Sequence, residues 1–346
     1  MPSFVALDGG GTKTLCLVAD QQGQLLGLGL GGGANANLVS ETTAQRSLGG
    51  AVMEAWQAAA CPEPPALAAV SGPVGAAGPA IVRRVTGATQ VIRVSEPEAA
   101  WASVQPWLAQ NTELPLDTAV TVVAGTGAIA GGWNRAGAEL TVGGWGWLLG
   151  DEGSGFWIGL RAIQAAIHAL DGRGPGTDLL SALCPALDLS TLQALIPIVY
   201  QGRSGRQSIA SLAPVVVQTA CLGDAVAVEI LTEAGKALAA LAVTIVQKLA
   251  LAAETFAVVP AGSVFKAGEL ILQSFRVAVL GAAPGAQMVV PRYEPVVGTL
   301  LQAMTESGMP SAGRWSRMEA QVTRIPRLVL DEHLFRSSQY GDSQDI

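Results

Sequence analysis

The feature that most constrains the fold of this chain is a strand, a glycine-rich turn and a second strand, which occur twice along it. Short apolar runs at residues 4–7 and 15–19 flank the turn Asp8-Gly-Gly-Gly-Thr-Lys-Thr14. Runs at 119–123 and 129–133 flank the turn Gly125-Thr-Gly127 in the same way. Helical segments follow each pattern, so we expect an α/β protein. The repetition predicts two similar halves with a cleft between them.

Further elements extend this pattern. A polar, proline-bearing stretch at 106–115 is a candidate boundary between the halves. A third glycine turn, Gly262-Ser263, follows an apolar run at 256–259. The closely spaced glycines of 27–33 suggest a flexible strand end or, with the nearby Asn35, a ligand contact. The periodicity predicts helices at 48–60, 155–170, 207–221 and 224–252.

Composition excludes several classes of function. The 346 residues are 50% hydrophobic, which is enough to build substantial cores. Twenty basic against 27 acidic residues give a net charge of −7, so we expect no nucleic-acid partner. Four dispersed cysteines and two histidines provide neither a zinc motif nor a disulfide framework. With no signal peptide and no uninterrupted membrane-spanning run, we expect a cytoplasmic protein.

The first glycine turn has the chemistry of a phosphate cradle. Glycine lets backbone N–H groups approach an anion closely, because it has no Cβ and adopts positive φ. Lys13 and the hydroxyls of Thr12 and Thr14 add donors. Asp8 is a candidate Mg²⁺ ligand, since this hard cation prefers oxygen. The alternative is a tight hairpin that needs glycine only for its geometry.

The densest motif is Gly143-Gly-Trp-Gly-Trp-Leu-Leu-Gly-Asp-Glu-Gly-Ser154. Asp151 is a candidate for binding a sugar hydroxyl or for standing near Mg²⁺. Trp145 and Trp147 could stack on a ligand or pack in the core. Glu152 and Ser154 could simply cap the following helix. Five glycines, two tryptophans and adjacent carboxylates together favour a binding site.

These motifs carry a family resemblance. In the same order along the chain, they resemble those of the N-acetylglucosamine kinase and BadF/BadG/BcrA/BcrD-type ATPase family, which lies in the actin/hexokinase/Hsp70 superfamily. The resemblance spans residues 4–310 and rests on the Asp8–Thr14 turn, Gly125-Thr-Gly127, the 143–154 motif and Gly262-Ser-Val-Phe265. The 143–154 motif is the most specific of them.

The resemblance implies an α/β fold of two ribonuclease-H-like (actin-like ATPase) domains, with mixed sheets around an interdomain cleft. The expected bounds are 1–110 for the first domain and 111–312 for the second. Residues 313–346 lie beyond the resemblance, and their mixed, polar pattern predicts a helix docked on the first domain or a disordered extension. MgATP would lie in the cleft, and the second domain would form a homodimer surface.

The resemblance also implies roles for individual residues. The expected nucleotide contacts are Gly9, Gly10, Gly11, Thr12, Lys13, Thr14, Gly125, Thr126, Gly127, Gly262 and Ser263, and the expected Mg²⁺ ligand is Asp8. The expected amino-sugar contacts are Asn35, Ser71, Thr126, Gly144, Trp145 and Asp151, with Asn37 as a competing alignment for Asn35.

The expected catalytic carboxylate departs from the family pattern. Where the family has Asp, this chain has Glu96, and Glu98 is a second candidate. A side chain one methylene longer changes the geometry at the acceptor hydroxyl, where a displacement of about 1 Å can cost ~10²-fold in rate. The alternative is that both glutamates only begin a solvated helix.

These expectations lead to an ATP-dependent kinase of N-acetylglucosamine or a related amino sugar. The residues leave open which amino sugar is the acceptor. One alternative is an ATPase that activates a partner redox enzyme, although the cysteines are poorly placed for a shared iron–sulfur cluster. Another is a sugar- or nucleotide-binding sensor without turnover, which the Glu96 replacement motivates.

Overall fold

A computed structural model describes residues 2–35, 39–200, 203–266, 269–308 and 312–330. It contains two five-stranded sheets whose strand orders correspond, β3-β2-β1-β4-β5 and β8-β7-β6-β9-β10. The first consists of β1 (Ser3–Gly9), β2 (Lys13–Asp20), β3 (Leu25–Gly32), β4 (Leu67–Ser71) and β5 (Val91–Arg93). The second consists of β6 (Ala119–Ala124), β7 (Ala128–Trp133), β8 (Glu139–Gly143), β9 (Phe256–Ala261) and β10 (Ala286–Met288).

Both sheets are mixed in the same way. Three strands form an antiparallel meander, and two more pair in parallel on the other side of its first strand. In each half the first glycine turn joins the first two strands of the meander, so the turn lies at the end of the central strand. The predicted α/β class, mixed sheets and duplication are confirmed.

The helices cover the sheets and fill the space between them. They are α1 (Glu41–Ala59), α2 (Ala77–Thr86), α3 (Glu96–Asn111), α4 (Gly155–Leu170), α5 (Leu179–Ala186), α6 (Leu195–Tyr200), α7 (Arg203–Ala210), α8 (Ala213–Cys221), α9 (Ala225–Lys248), α10 (Ser263–Lys266), α11 (Glu269–Ala282), α12 (Pro295–Glu306) and α13 (Ala312–Val322). A 3₁₀ turn, Leu192–Ala194, precedes α6. None of the helices within the described residues is long and apolar enough to cross a membrane.

The glycines of β3 serve helix packing rather than flexibility. A Cβ at Gly27, Gly29 or Gly31 would collide with backbone atoms of α1, at Ala55, Ala51 and Ser47 respectively. Because successive strand residues face opposite sides, glycine at every second position leaves one face flat. The strand therefore lets α1 approach closely, and the predicted flexible end is in fact part of the sheet.

Two helices each pack against the sheet of the opposite half. α3 follows β5 but packs against β6, β7 and β9 of the second sheet, whereas α12 follows β10 and packs back onto β1, β2 and β4. The two helices cross closely, since a Cβ on Gly298 would collide with the carbonyl oxygen of Ala99. The crossing therefore fixes the position of the start of α3 relative to the start of α12.

The segments around the predicted boundaries pack as follows. Residues 106–111 of the proline-bearing stretch form the end of α3, with Pro106 inside the helix, so that part is not a linker. Trp315 of α13 is fully buried in the cluster that covers the first sheet. Its ring makes an edge contact with Tyr293 at 5.3 Å between centroids. The domain bounds themselves stay a prediction, and residues 331–346 lie outside the described residues.

Candidate active site

The three glycine turns meet at one cavity between the two sheets. This cavity has a volume of about 500 Å³ and is also lined by residues at the starts of α3 and α12. Of the predicted site residues, those that line it are Asp8, Gly10, Gly11, Thr12, Lys13, Asn35, Glu96, Gly125, Thr126, Gly127, Gly144, Asp151, Gly262 and Ser263. Folding therefore brings together most of a set that is spread over 250 residues of sequence.

Four predicted residues lie elsewhere. Gly9 is buried against the side chain of Val74. Thr14 is fully buried, and its hydroxyl donates to the carbonyl of Gly32 at 2.8 Å. Ser71 is also fully buried, behind the cavity surface. Trp145 is 75% exposed and is not among the lining residues. The structure therefore gives none of these four a direct contact with the cavity.

Backbone bonds shape the glycine turns. In the first turn the N–H of Gly10 donates to the carbonyl of Lys13 at 2.9 Å, which closes the hairpin tip. In the second, the N–H of Gly125 donates to the carbonyl of Gly127 at 2.9 Å. The third turn has Gly262 at φ 98°, a conformation that favours glycine. All three turns thus bring backbone close to the cavity, and the third adopts a conformation that favours glycine.

Asp8 is held in place by a chain of hydroxyl groups. The Ser71 hydroxyl donates to Oδ1 of Asp8 at 2.7 Å, and its oxygen lies 2.8 Å from Oγ1 of Thr299 on α12. Burial raises the pKa of Asp8, and the Ser71 hydrogen bond opposes that rise. Ser71 therefore orients Asp8 from behind rather than contacting a ligand in the cavity.

The capping pattern of α3 distinguishes the two candidate glutamates. Ser95 is the N-cap residue; its Oγ accepts from the N–H of Glu98, and the Glu98 carboxylate accepts from the N–H of Ser95 at 2.6 Å. Glu98 is thereby committed to a capping box and lines a different cavity behind α3. Glu96, in the first turn, lines the central cavity instead.

The surroundings of Glu96 oppose its ionisation. Burial raises its pKa to about 7, and the carboxylates of Asp8 and Asp151 contribute further. Three carboxylates from distant parts of the sequence therefore face one cavity. A carboxylate with a pKa near neutrality accepts and releases a proton readily at physiological pH.

Asp151 belongs to a buried ion pair that the sequence did not reveal. Its Oδ1 accepts from the N–H of Ala128 at 3.0 Å, and its Oδ2 accepts from the guanidinium of Arg206 at 3.0 Å. Both side chains are buried. Burial raises the pKa of Asp151, while these two donors oppose the rise. Arg206 comes from α7, and no local motif marked it.

A second charged group missed from sequence lies at the start of α12. Oε1 of Glu294 is 2.7 Å from Nζ of Lys13 and 3.8 Å from Nζ of Lys266. All three residues line the cavity. One signal could have found Glu294: the dipeptide Glu294-Pro295 repeats Glu96-Pro97 at the corresponding helix of the other half.

The remaining candidate residues lie at different places around the cavity. Asn35 is buried, whereas Asn37 lies outside the described residues. Ser154 is the N-cap of α4, and its hydroxyl accepts from the N–H of Trp157. The loop around Trp145 leaves four large apolar side chains substantially exposed, those of Trp145, Trp147, Leu148 and Leu149. Neither tryptophan is a core residue.

A smaller pocket adjoins the glycine turns. It has a volume of about 230 Å³ and shares Thr12, Gly125, Thr126 and Ser263 with the main cavity. Its remaining lining is largely apolar and comes from α4, α7, α8, α10 and the turn between α7 and α8: Gly155, Ile158, Gln207, Ala210, Ser211, Ala213, Pro214 and Val264. The two cavities together form a wide chamber with a narrow apolar extension.

Two curated proteins are similar to this chain in sequence. The N-acetylmuramic acid/N-acetylglucosamine kinase of Clostridium acetobutylicum is 32% identical over 187 residues, which cover 54% of this chain and 61% of that protein. The N-acetyl-D-glucosamine kinase of Dictyostelium discoideum is 33% identical over 187 residues, covering 54% and 59%. The chain thus spans about 60% of the length of these curated relatives.

The fold has a solved counterpart. A candidate N-acetylglucosamine kinase from Chromobacterium violaceum aligns with a TM-score of 0.64 and 24% identity, over 88% of this chain and 99% of that one. The predicted actin-like architecture is thereby confirmed. The model of the BadF/BadG/BcrA/BcrD ATPase family matches residues 5–303. Since that match takes in both sheets and all three glycine turns, the chain belongs to the BadF/BadG/BcrA/BcrD ATPase family.

Proposed function

We propose that this chain is an ATP-dependent kinase that phosphorylates N-acetylglucosamine or a related amino sugar. The observation that carries the proposal is Glu96, whose carboxylate faces a cavity lined by three glycine turns and has a pKa of about 7. The names of both curated relatives, which are kinases of N-acetylated amino sugars, support the same class of acceptor.

The glycine turns and the narrow pocket suit a nucleotide. Backbone N–H groups and the hydroxyls of Thr12, Thr126 and Ser263 are donors for phosphate oxygens. The adjoining 230 Å³ pocket suits the adenine base, because Ile158 and Val264 give it apolar walls. Gln207 and Ser211 supply polar groups that can bind the edge of the base.

Asp8 fits the Mg²⁺ that such a reaction uses. Its carboxylate lines the cavity beside the first glycine turn and keeps oxygen lone pairs free of the Ser71 hydrogen bond. Magnesium bound with nucleotide takes one or two carboxylates besides phosphate and water. Bound there, the cation supplies charge neutralisation at the phosphate oxygens.

Glu96 acts on the acceptor hydroxyl. When ionised, it accepts a hydrogen bond from that hydroxyl and orients its oxygen toward the terminal phosphate of ATP. As the new O–P bond forms and the bond from that phosphorus to the bridging oxygen breaks, Glu96 takes the hydroxyl proton and ADP leaves. Burial, together with repulsion from Asp8 and Asp151, makes the protonated product state of Glu96 favourable. Asp151 keeps lone pairs beyond those used by Ala128 and Arg206, and with Asn35 it can hold other sugar hydroxyls.

The test is a coupled ADP assay with ATP, Mg²⁺ and a panel of amino sugars, with the product identified by mass. We expect sugar-dependent ADP release and a phosphorylated sugar. ADP release without a phosphosugar would overturn the proposal.

Glu96→Asp separates a kinase from a non-catalytic sensor. In a kinase this substitution changes kcat while ATP affinity stays the same, because only the reach of the carboxylate changes. In a sensor neither quantity moves. Two further proposals have tests of their own. Light scattering on the purified protein tests a homodimer, and fractionation of the cells that produce the protein tests cytoplasmic residence.

A further inference from the structure

Glu294 has no part in the mechanism above, yet it is among the most confined charged groups of the cavity. Its side chain is 10% exposed and forms ion pairs with Lys13 and Lys266. It is the N-cap residue of α12 but makes no side-chain capping bond, so its carboxylate is directed to the lysines instead. A carboxylate removed from water needs partners of this kind.

The two lysines belong to different halves of the molecule. Lys13 follows the first glycine turn, and Lys266 ends α10 directly after the third. Burial lowers the pKa of Lys266, Glu294 opposes that effect, and Lys13 adds to it. The lysines are therefore close enough to repel one another, and Glu294 lies between them.

These cations line the same cavity as the donors assigned above to nucleotide phosphates. Phosphate oxygens and the Glu294 carboxylate are both anionic acceptors, and an ammonium group has only three donors to share between them. An incoming polyphosphate would also meet direct repulsion from Glu294. The carboxylate and the phosphates are thus competitors for the same two cations.

We propose that Glu294 is an internal counter-anion, which holds Lys13 and Lys266 at the phosphate end of the cavity and must give them up when a nucleotide binds. It keeps two like charges together in the free protein. It also weakens nucleotide binding, and after phosphoryl transfer it competes with the phosphates of ADP and favours their release. The inference rests on the nucleotide site of the proposed function.

The test compares Glu294→Gln with Glu254→Gln by calorimetric titration with adenosine, ADP and ATP. Glu254 is exposed and does not line the cavity, so its substitution removes the same charge without touching the lysines. We expect Glu294→Gln to tighten ADP and ATP binding about tenfold while adenosine binding is unchanged. Rising salt should reduce this gain.

Unchanged or weaker ATP binding in Glu294→Gln would overturn the proposal, as would an equal change for adenosine. If Glu294→Gln does not fold, Glu294→Asp replaces it, because its shorter side chain cannot contact both lysines in the same way. We then expect Glu294→Asp to bind ATP more tightly than the wild type, by less than about tenfold. An unchanged ATP affinity in this variant would overturn the proposal.

The titrations contain no sugar, so their result is independent of the acceptor. A protein that binds ATP more tightly after Glu294→Gln but forms no phosphosugar would contradict the proposed function and support this inference. A protein that binds no ATP in either form would contradict both.

Discussion

Two crossing helices, α3 and α12, begin with the same dipeptide in opposite electrostatic surroundings. Glu96-Pro97 faces the carboxylates of Asp8 and Asp151, whereas the carboxylate of Glu294 contacts two lysines. In each case one neighbour comes from the first half of the molecule and one from the second. The comparison teaches that the start of a helix can bring a carboxylate to the cavity, while its distant neighbours determine its chemistry.

The largest effect expected is a loss of kcat in Glu96→Gln. Removing the group that accepts the proton should lower kcat about 10²–10⁴-fold with little change in ATP affinity, because the contribution belongs to the transition state. Coupled ADP release with phosphosugar detection measures it. Glu98→Gln is the matched control, since Gln can still complete the capping box. Equal losses in both variants would mean that helix integrity, not proton transfer, is at stake.

The pH profile should sharpen the contrast between the two glutamates. Glu96 must be ionised to accept a proton, so kcat/KM should rise about tenfold per pH unit up to about pH 7 and then level off. Steady-state rates between pH 5 and 8 measure the profile. Glu294→Gln should retain it, whereas the residual activity of Glu96→Gln should not. A wild-type rate that is flat over this range would contradict the assignment.

Gly298→Ala should disturb both helix starts at once. The added methyl group would meet the carbonyl of Ala99, so α3 and α12 must move apart. We expect the free energy of unfolding to fall by about 1–3 kcal/mol, with changes in both kcat and ATP affinity. Gly50→Ala on α1 is the control, because its Cβ would meet nothing and should stabilise the helix slightly. Urea denaturation compares the two, and similar stabilities would contradict the tight crossing.

The smallest effect is expected in how the free energy of unfolding changes with pH. Glu96 has a folded pKa of about 7 and an ordinary value of 4.5, so between these values the unfolded chain is ionised and the folded protein is not. The contribution of Glu96 to the free energy of unfolding is therefore fully present below pH 4.5 and is lost as the pH rises to about 7. After allowance for solvent screening, the loss is about 1–2 kcal/mol.

Chemical denaturation at pH 5 and pH 8 measures this decline. Glu96→Gln should remove it and so gain stability relative to the wild type at pH 8. Glu294→Gln should lose stability at both values, because it leaves the two lysines without their anion. If the stability of the wild type changed from pH 5 to pH 8 by the same amount as that of Glu96→Gln, the raised pKa of Glu96 would be contradicted.

Local sequence was sufficient for the strand–turn–strand units and for the residues within the turns. Glycine and alternating apolar residues act over a few positions, so their meaning does not depend on the rest of the chain. Local sequence was insufficient to predict the direction of side chains. Thr14 points away from the cavity, Ser71 lies behind Asp8, and Trp145 is exposed. Those outcomes depend on strand register and on contacts with other elements.

The sequence by itself therefore determined the duplicated α/β plan and the three glycine turns, and its family resemblance added Glu96 and Glu98 as candidate bases. Tertiary structure alone decided that Glu96 rather than Glu98 faces the cavity, that Arg206 pairs with Asp151, and that Lys13 pairs with Glu294. The last two pairs join residues that are 55 and 281 positions apart. Charge interactions act through space, so no pattern along the chain records them.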